Sequence, residues 1–130
     1  PHCTALGKVL LAFLPEIDRD RVLASLTLEP MTQKTVTSLA ALRKQLGRIP
    51  EQGYAVELEE FHLGGACVAA PIRGSQGRVI AAISSSLFAS RAEGDELRTI
   101  AREVVSSAGR ISVKLGYVPS PVEMGGGARE

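Results

Sequence analysis

The chain has 130 residues, 45% of them hydrophobic and 22% charged, which is the balance of one globular domain and too apolar for a disordered segment. Fifteen Lys and Arg oppose fourteen Asp and Glu for a net charge of +1, and aromatic residues are only 4% with no Trp; this excludes a broad basic face for a phosphate backbone and a stacking platform for single-stranded bases. Two cysteines are too few to staple a domain and point to a reducing cytoplasm, while no apolar run approaches the roughly 20 residues of a membrane span and the start lacks the pattern of a signal peptide.

From Ala5 the apolar residues Leu6, Val9, Leu10 and Phe13 recur at helical spacing, with Thr4 able to cap the start and Pro15 ending the run. Ile17, Val22, Leu23 and Leu26 suggest a second, weaker helix, and Thr27 to Thr37 reads as a connection. Ser38 is placed to cap a third helix with Leu39, Leu42, Leu46 and Ile49 on one face; Gly47 and Pro50 weaken its end and Gly53 closes it. The period then changes to two: Tyr54, Val56 and Leu58 alternate with Ala55, Glu57 and Glu59 as in a half-buried strand. A Gly64-Gly65 turn leads to a second strand over Ala66 to Ile72, and Val79 to Ser86 forms a third. The short Gly74-Ser75-Gln76-Gly77 connection makes antiparallel pairing the natural reading.

From Ala92 helical spacing returns, with Leu97, Ile100, Val104, Ala108, Ile111 and Leu115 on one stripe and Gly116 as the stop. The expected domain is residues 1–117, followed by a flexible tail over 118–130 rich in Pro and Gly. Helices, then an antiparallel meander, then a closing helix make an α+β fold, an antiparallel sheet flanked by helices.

Pairing Arg73 with Arg78 across the connection sets Pro71 opposite Ile80, Ala69 opposite Ala82 and Cys67 opposite Ser84, with Ser86 two residues further on the same face. Cys67, Ser84 and Ser86 then form a polar patch beside small alanines, which is either a seat for a ligand or an ordinary strand end facing water. The first turn of the first helix offers backbone N–H groups to an anion. Gly7-Lys8 lacks both the upstream glycine and the following Ser or Thr of a phosphate-binding loop. Glu57, Glu59 and Glu60 read equally as a solvated acidic face. His2 with Cys3, and His62 with Cys67, lack zinc-ligand spacing, and His62 lies across a Gly-Gly turn from Cys67, so spacing alone makes no catalytic dyad.

His2-Cys3-Thr4-Ala5-Leu6-Gly7-Lys8, then Gly53-Tyr54-Ala55-Val56-Glu57-Leu58-Glu59-Glu60, then Cys67-Val68-Ala69-Ala70-Pro71-Ile72, then Ile83-Ser84-Ser85-Ser86 together resemble the effector-binding domain of the IclR family of bacterial transcription regulators. The resemblance runs from Pro1 to about Tyr117. It implies a GAF-like fold, here without its opening strands, and a cavity for a small organic effector, often a carboxylate. Carried over position by position, it places effector contacts at Ala5, Leu6, Glu57, Cys67, Ser84 and Ser86, and it implies no catalytic residue, no metal and no cofactor. The family more often has Asp where Glu57 stands and Gly-Pro where Leu87-Phe88 follow the serine strand. It further implies a homodimer or homotetramer, and DNA contact only through a helix-turn-helix domain outside this chain. Two other readings follow from the residues alone, namely a thiol-dependent hydrolase using Cys67 and His62, and an oligomerisation module without a ligand.

Overall fold

The computed structural model describes residues 1–120, so the expected tail falls largely outside the described residues. The element order is α1 (Ala5–Ala12), α2 (Glu16–Ser25), α3 (Leu39–Gln52), β1 (Ala55–Leu58), β2 (Gly65–Arg73), β3 (Val79–Phe88), a 3-10 turn (Ala89–Arg91) and α4 (Gly94–Lys114). The caps are those the sequence offers. Thr4 Oγ1 accepts from the Gly7 N–H and Ser38 Oγ from the Ala41 N–H, each taking one donor that has no acceptor inside its helix. Gly53, at φ 86°, closes α3 in the left-handed region, where a side chain would strain the backbone.

The strands form one antiparallel sheet in the order β1-β2-β3. On one face α1 and α3 pack through Ala5, Val9, Ala12, Leu42, Leu46 and Ile49 onto Ala55 and Ala69; the small side chains on both sides let α1 lie close to the strands. On the other face α4 packs Ala101, Val104 and Ala108 onto Val68, Ala70 and Ile72. β2 is thus covered on both faces, fully on the α4 side and at Ala69 on the α1 side, and its sequence reads as a nearly continuous apolar run. α2 departs from the expected packing. Of its apolar residues only Leu23 is buried, and Ile17 is 69% exposed. Leu39 and Leu115, expected on the inner stripes of α3 and α4, are exposed as well.

The hairpin register differs from the expected one. Gly74, not Arg73, closes the turn, its N–H donating to the Arg78 carbonyl while the Gly77 N–H donates to the Gly74 carbonyl, and Gly77 takes φ 81°, the left-handed residue of a short hairpin loop. A bulge follows: Arg73 pairs with Val79 but Ile72 with Ala81, leaving Ile80 out of the ladder. Pro71 therefore faces Ala82 instead of Ile80, Ala69 faces Ser84 instead of Ala82, and Cys67 faces Ser86 instead of Ser84.

β2 outruns β1, because β1 reaches only as far as the Ala55–Ala69 pair. The exposed outer edge is blunted. Pro71 has no N–H to present, and the outward N–H of Arg73 donates to Ser112 Oγ of α4 at 2.9 Å, while that hydroxyl donates to the Ala108 carbonyl at 2.7 Å.

Candidate functional site

The sheet register brings three of the sequence-derived residues into one row. Glu57 pairs with Cys67 and Cys67 with Ser86, all on the face that α1 covers, and Cys67 Sγ lies 3.3 Å from Ser86 Oγ. These residues line a cavity of about 630 Å³ at the open end of the sheet, whose other walls include Phe61, His62, Leu63, Phe88 and Arg91. Ser84 is the next residue along the same face, half-buried opposite Ala69 and outside the cavity lining. Ala5, fully buried in the core between α1 and the sheet, and Leu6, exposed, open α1, and neither is in the cavity lining. Their N–H groups belong to the helix's first turn, where no intrahelical acceptor exists.

Glu57 does not sit on a solvated acidic face; it is 3% exposed. Its Oε1 accepts from the N–H groups of Glu60 at 2.6 Å and Phe61 at 3.2 Å, so the carboxylate caps the turn that follows β1 and keeps Oε2 as a further acceptor. Glu60 is buried too, and the Lys8 ammonium donates to its Oε2 at 2.5 Å. Glu59 begins the same turn at φ 56°, a left-handed conformation unusual outside glycine. Its carboxylate accepts from Lys34 Nζ and from the Gly64 N–H, and these two partners, the lysine foremost, hold its pKa below the ordinary value.

The turn's far side is equally fixed. Thr32 Oγ1 donates to the Glu59 carbonyl at 2.6 Å and Thr35 Oγ1 to the Glu60 carbonyl at 2.5 Å. The His62 ring lies against Gly65, where an added Cβ would fall 2.0 Å from its Cε1. At the rim Arg91 donates through Nε at 2.7 Å to Glu96, and the exposed rings of Phe61 and Phe88 flank the opening.

His62 and Cys67 line the same cavity, yet the thiol's hydrogen-bond partner is a serine hydroxyl. His2 is buried with Nε2 2.9 Å from the Glu29 carbonyl, a structural tie. Among the described residues no group of three or more His, Cys, Asp or Glu could hold a metal ion, and no helix is long and apolar enough to cross a membrane. Sequence reasoning missed Phe61, Leu63, Phe88 and Arg91 as walls and weighed His62 only as a partner for Cys67. The available signal was the length of the Glu59–Gly64 connection, which is longer and more apolar than a tight hairpin requires.

An antiparallel sheet sandwiched by helices, with a cavity ringed by apolar side chains and a few hydrogen-bonding groups that include the Glu57 carboxylate, defines a small-molecule-binding α+β domain. The chain belongs to the family described as bacterial transcriptional regulator IclR, C-terminal, whose model matches residues 1–113. It is 38% identical over 116 residues to the HTH-type transcriptional regulator XynR of Escherichia coli K12, covering 89% of this chain and 46% of that protein. The crystal structure of the C-terminal domain of E. coli regulator KdgR superposes with a TM-score of 0.84 at 34% identity, over 89% of this chain and 71% of that one. The inducer-binding domain of the PobR transcription factor from Acinetobacter, solved as a double mutant with 3-hydroxybenzoic acid, matches with a TM-score of 0.77 at 25% identity, over 85% and 64% of the two chains. The chain thus spans under half the length of its full-length relative XynR. The expected GAF-like, IclR-type effector domain is the observed one.

Proposed function

We propose that this domain senses a small carboxylate on behalf of a cytoplasmic DNA-binding transcription regulator, binding it without chemical conversion. The observation that carries the reading is the Glu57–Cys67–Ser86 row in the wall of the cavity, on the sheet face that α1 covers. In this reading the carboxylate sits between the first-turn N–H groups of Ala5 and Leu6 and the hydroxyls of Ser84 and Ser86, with Cys67 packed beside it. A helix start supplies donors and the positive end of a dipole, and the serines add neutral donors. The remainder of the ligand extends into the cavity toward Phe61, Leu63 and Phe88. Glu57 Oε2 accepts from a ligand hydroxyl and repels a second anion, which favours hydroxy and oxo monocarboxylates over dicarboxylates. That PobR's domain was solved with a hydroxybenzoic acid agrees with this ligand class.

Binding in place of catalysis is favoured because Cys67 has a hydroxyl, not a base, as its hydrogen-bond partner. DNA contact falls to a helix-turn-helix domain elsewhere in the regulator, and the working form is a homodimer or homotetramer on a symmetric operator. The test is a thermal-shift screen of the purified domain against 2-oxo, 2-hydroxy and hydroxybenzoic monocarboxylates, with matched dicarboxylates and amines. A ligand that binds only the folded state raises its midpoint. Stabilisation by monocarboxylates alone supports the reading, and a preference for amines overturns it.

A further inference from the structure

Lys8 and Glu60 form an ion pair that the sequence did not announce. Lys8 is 2% exposed on α1, its ammonium 2.5 Å from Glu60 Oε2, and the Glu60 side chain is 9% exposed. Removing two charges from water costs about as much as their attraction returns, so such a pair is a poor device for stability, and well-packed apolar residues do as well or better. Its placement suggests another use. Glu60 lies in the turn after β1, whose N–H groups at Glu60 and Phe61 bind Glu57 Oε1 and whose following residues, Phe61 to Gly64, make one whole wall of the cavity. Among the described residues Glu60 Oε1 is buried with no hydrogen-bond partner, and there the lysine is the one ionic and hydrogen-bonding support of the carboxylate. Lys8 itself lies within a turn of helix from Ala5 and Leu6.

We infer that Lys8 and Glu60 are positioning residues that fix the cavity wall, and with it the Glu57 carboxylate, relative to the start of α1. Neither residue touches the ligand. The threonine hydroxyls hold the turn's backbone through the carbonyls of Glu59 and Glu60, while the ion pair ties the Glu60 side chain to α1. With the lysine charge removed, Glu60 is left as an unsupported buried carboxylate and turns outward, carrying Phe61 and His62 away from the sheet and freeing Glu57 Oε1. The consequence for ligand affinity rests on the proposed effector site; the consequence for geometry does not.

The test compares wild type, Lys8→Met, Glu60→Gln and the double variant Lys8→Met/Glu60→Met. The first readout is the iodoacetamide alkylation rate of Cys67, separated from buried Cys3 by peptide mapping; the second is the affinity for whichever monocarboxylate of the screen binds wild type. Each single variant is expected to alkylate at Cys67 roughly tenfold faster with Cys3 unchanged, as local opening of one wall requires. The double variant is expected to regain the thermal midpoint of wild type but not its Cys67 protection or its affinity. If the double variant restores all three, the pair is packing only and the inference fails; unchanged alkylation in every variant also overturns it. Should a single variant not fold, the double decides. Should no monocarboxylate bind wild type while alkylation responds as described, the effector reading falls and the positioning role stands.

Discussion

Alanine substitution along β3 separates the proposed seat from its surroundings, because Ser84, Ser85 and Ser86 differ in face and burial while sharing one chemistry. Ser84 and Ser86 pair with Ala69 and Cys67 on the α1 face, whereas Ser85 pairs with Val68, which packs under α4. A hydrogen bond to a charged group contributes about 1.5–3 kcal/mol where water cannot replace it. Ser84 is half-buried opposite Ala69, so Ser84→Ala should weaken binding of a monocarboxylate effector roughly 10- to 100-fold. Ser86 is exposed at the cavity wall, where water can take over its role, and Ser86→Ala should weaken binding only about 3- to 10-fold. Ser85→Ala should leave affinity within about twofold, since strand parity turns it away from the ligand. Isothermal titration calorimetry with the effector from the carboxylate screen measures all three, and denaturation midpoints confirm that the fold is intact. A Ser85→Ala loss equal to that of Ser84→Ala would refute the proposed face, and a larger loss at Ser86 than at Ser84 would place the carboxylate in the outer cavity instead of beside α1.

Ser112→Ala strips the cap from the outer edge of β2 and leaves the Arg73 N–H without its 2.9 Å acceptor; urea denaturation should show a loss of about 1–2 kcal/mol, or roughly 3–8 °C in Tm, with an unchanged m-value, and full stability with undiminished hydrogen-exchange protection of the Arg73 amide would contradict it. Glu59 supplies the pH dependence. Its pKa is lowered in the fold by Lys34 and the Gly64 N–H, so its contribution is present above the ordinary value of 4.5 and is lost as pH falls through the lower folded value. Exchange protection of the Gly64 amide should accordingly weaken on acidification below that range. Lys34→Ala should move the loss to higher pH, and an identical profile in that variant would remove the lysine from the explanation.

The shared face of Cys67, Ser84 and Ser86 was legible in the sequence even though the pairing was not, and the reason lies in strand parity. The turn closes one residue later than expected, at Gly74 with Arg78, and the Ile80 bulge adds one more. Two single shifts sum to an even displacement, so every side chain beyond the bulge keeps its face while each partner changes. One shift alone would have turned the serines under α4. Caps and glycine stops were legible for a different reason: they are local, and Thr4, Ser38 and Gly53 act on backbone within a few residues of themselves. The burial of charge was not legible. Glu57 and Glu60 stand in an alternating acidic run that looks solvated, and Lys8 follows Gly7 in a helix where a cation ordinarily reaches water. Their burial depends on contacts 52 residues apart, between a helix and a turn that only the sheet topology brings together. Side-chain charge alone cannot report such a pair, because each partner by itself favours the surface and only their juxtaposition makes the interior tolerable. That asymmetry is why Glu57, placed by resemblance, and Lys8, placed by geometry, meet at the same turn: one oxygen of Glu57 holds the backbone that Glu60 carries inward to the lysine, and the shape of the cavity wall follows from both.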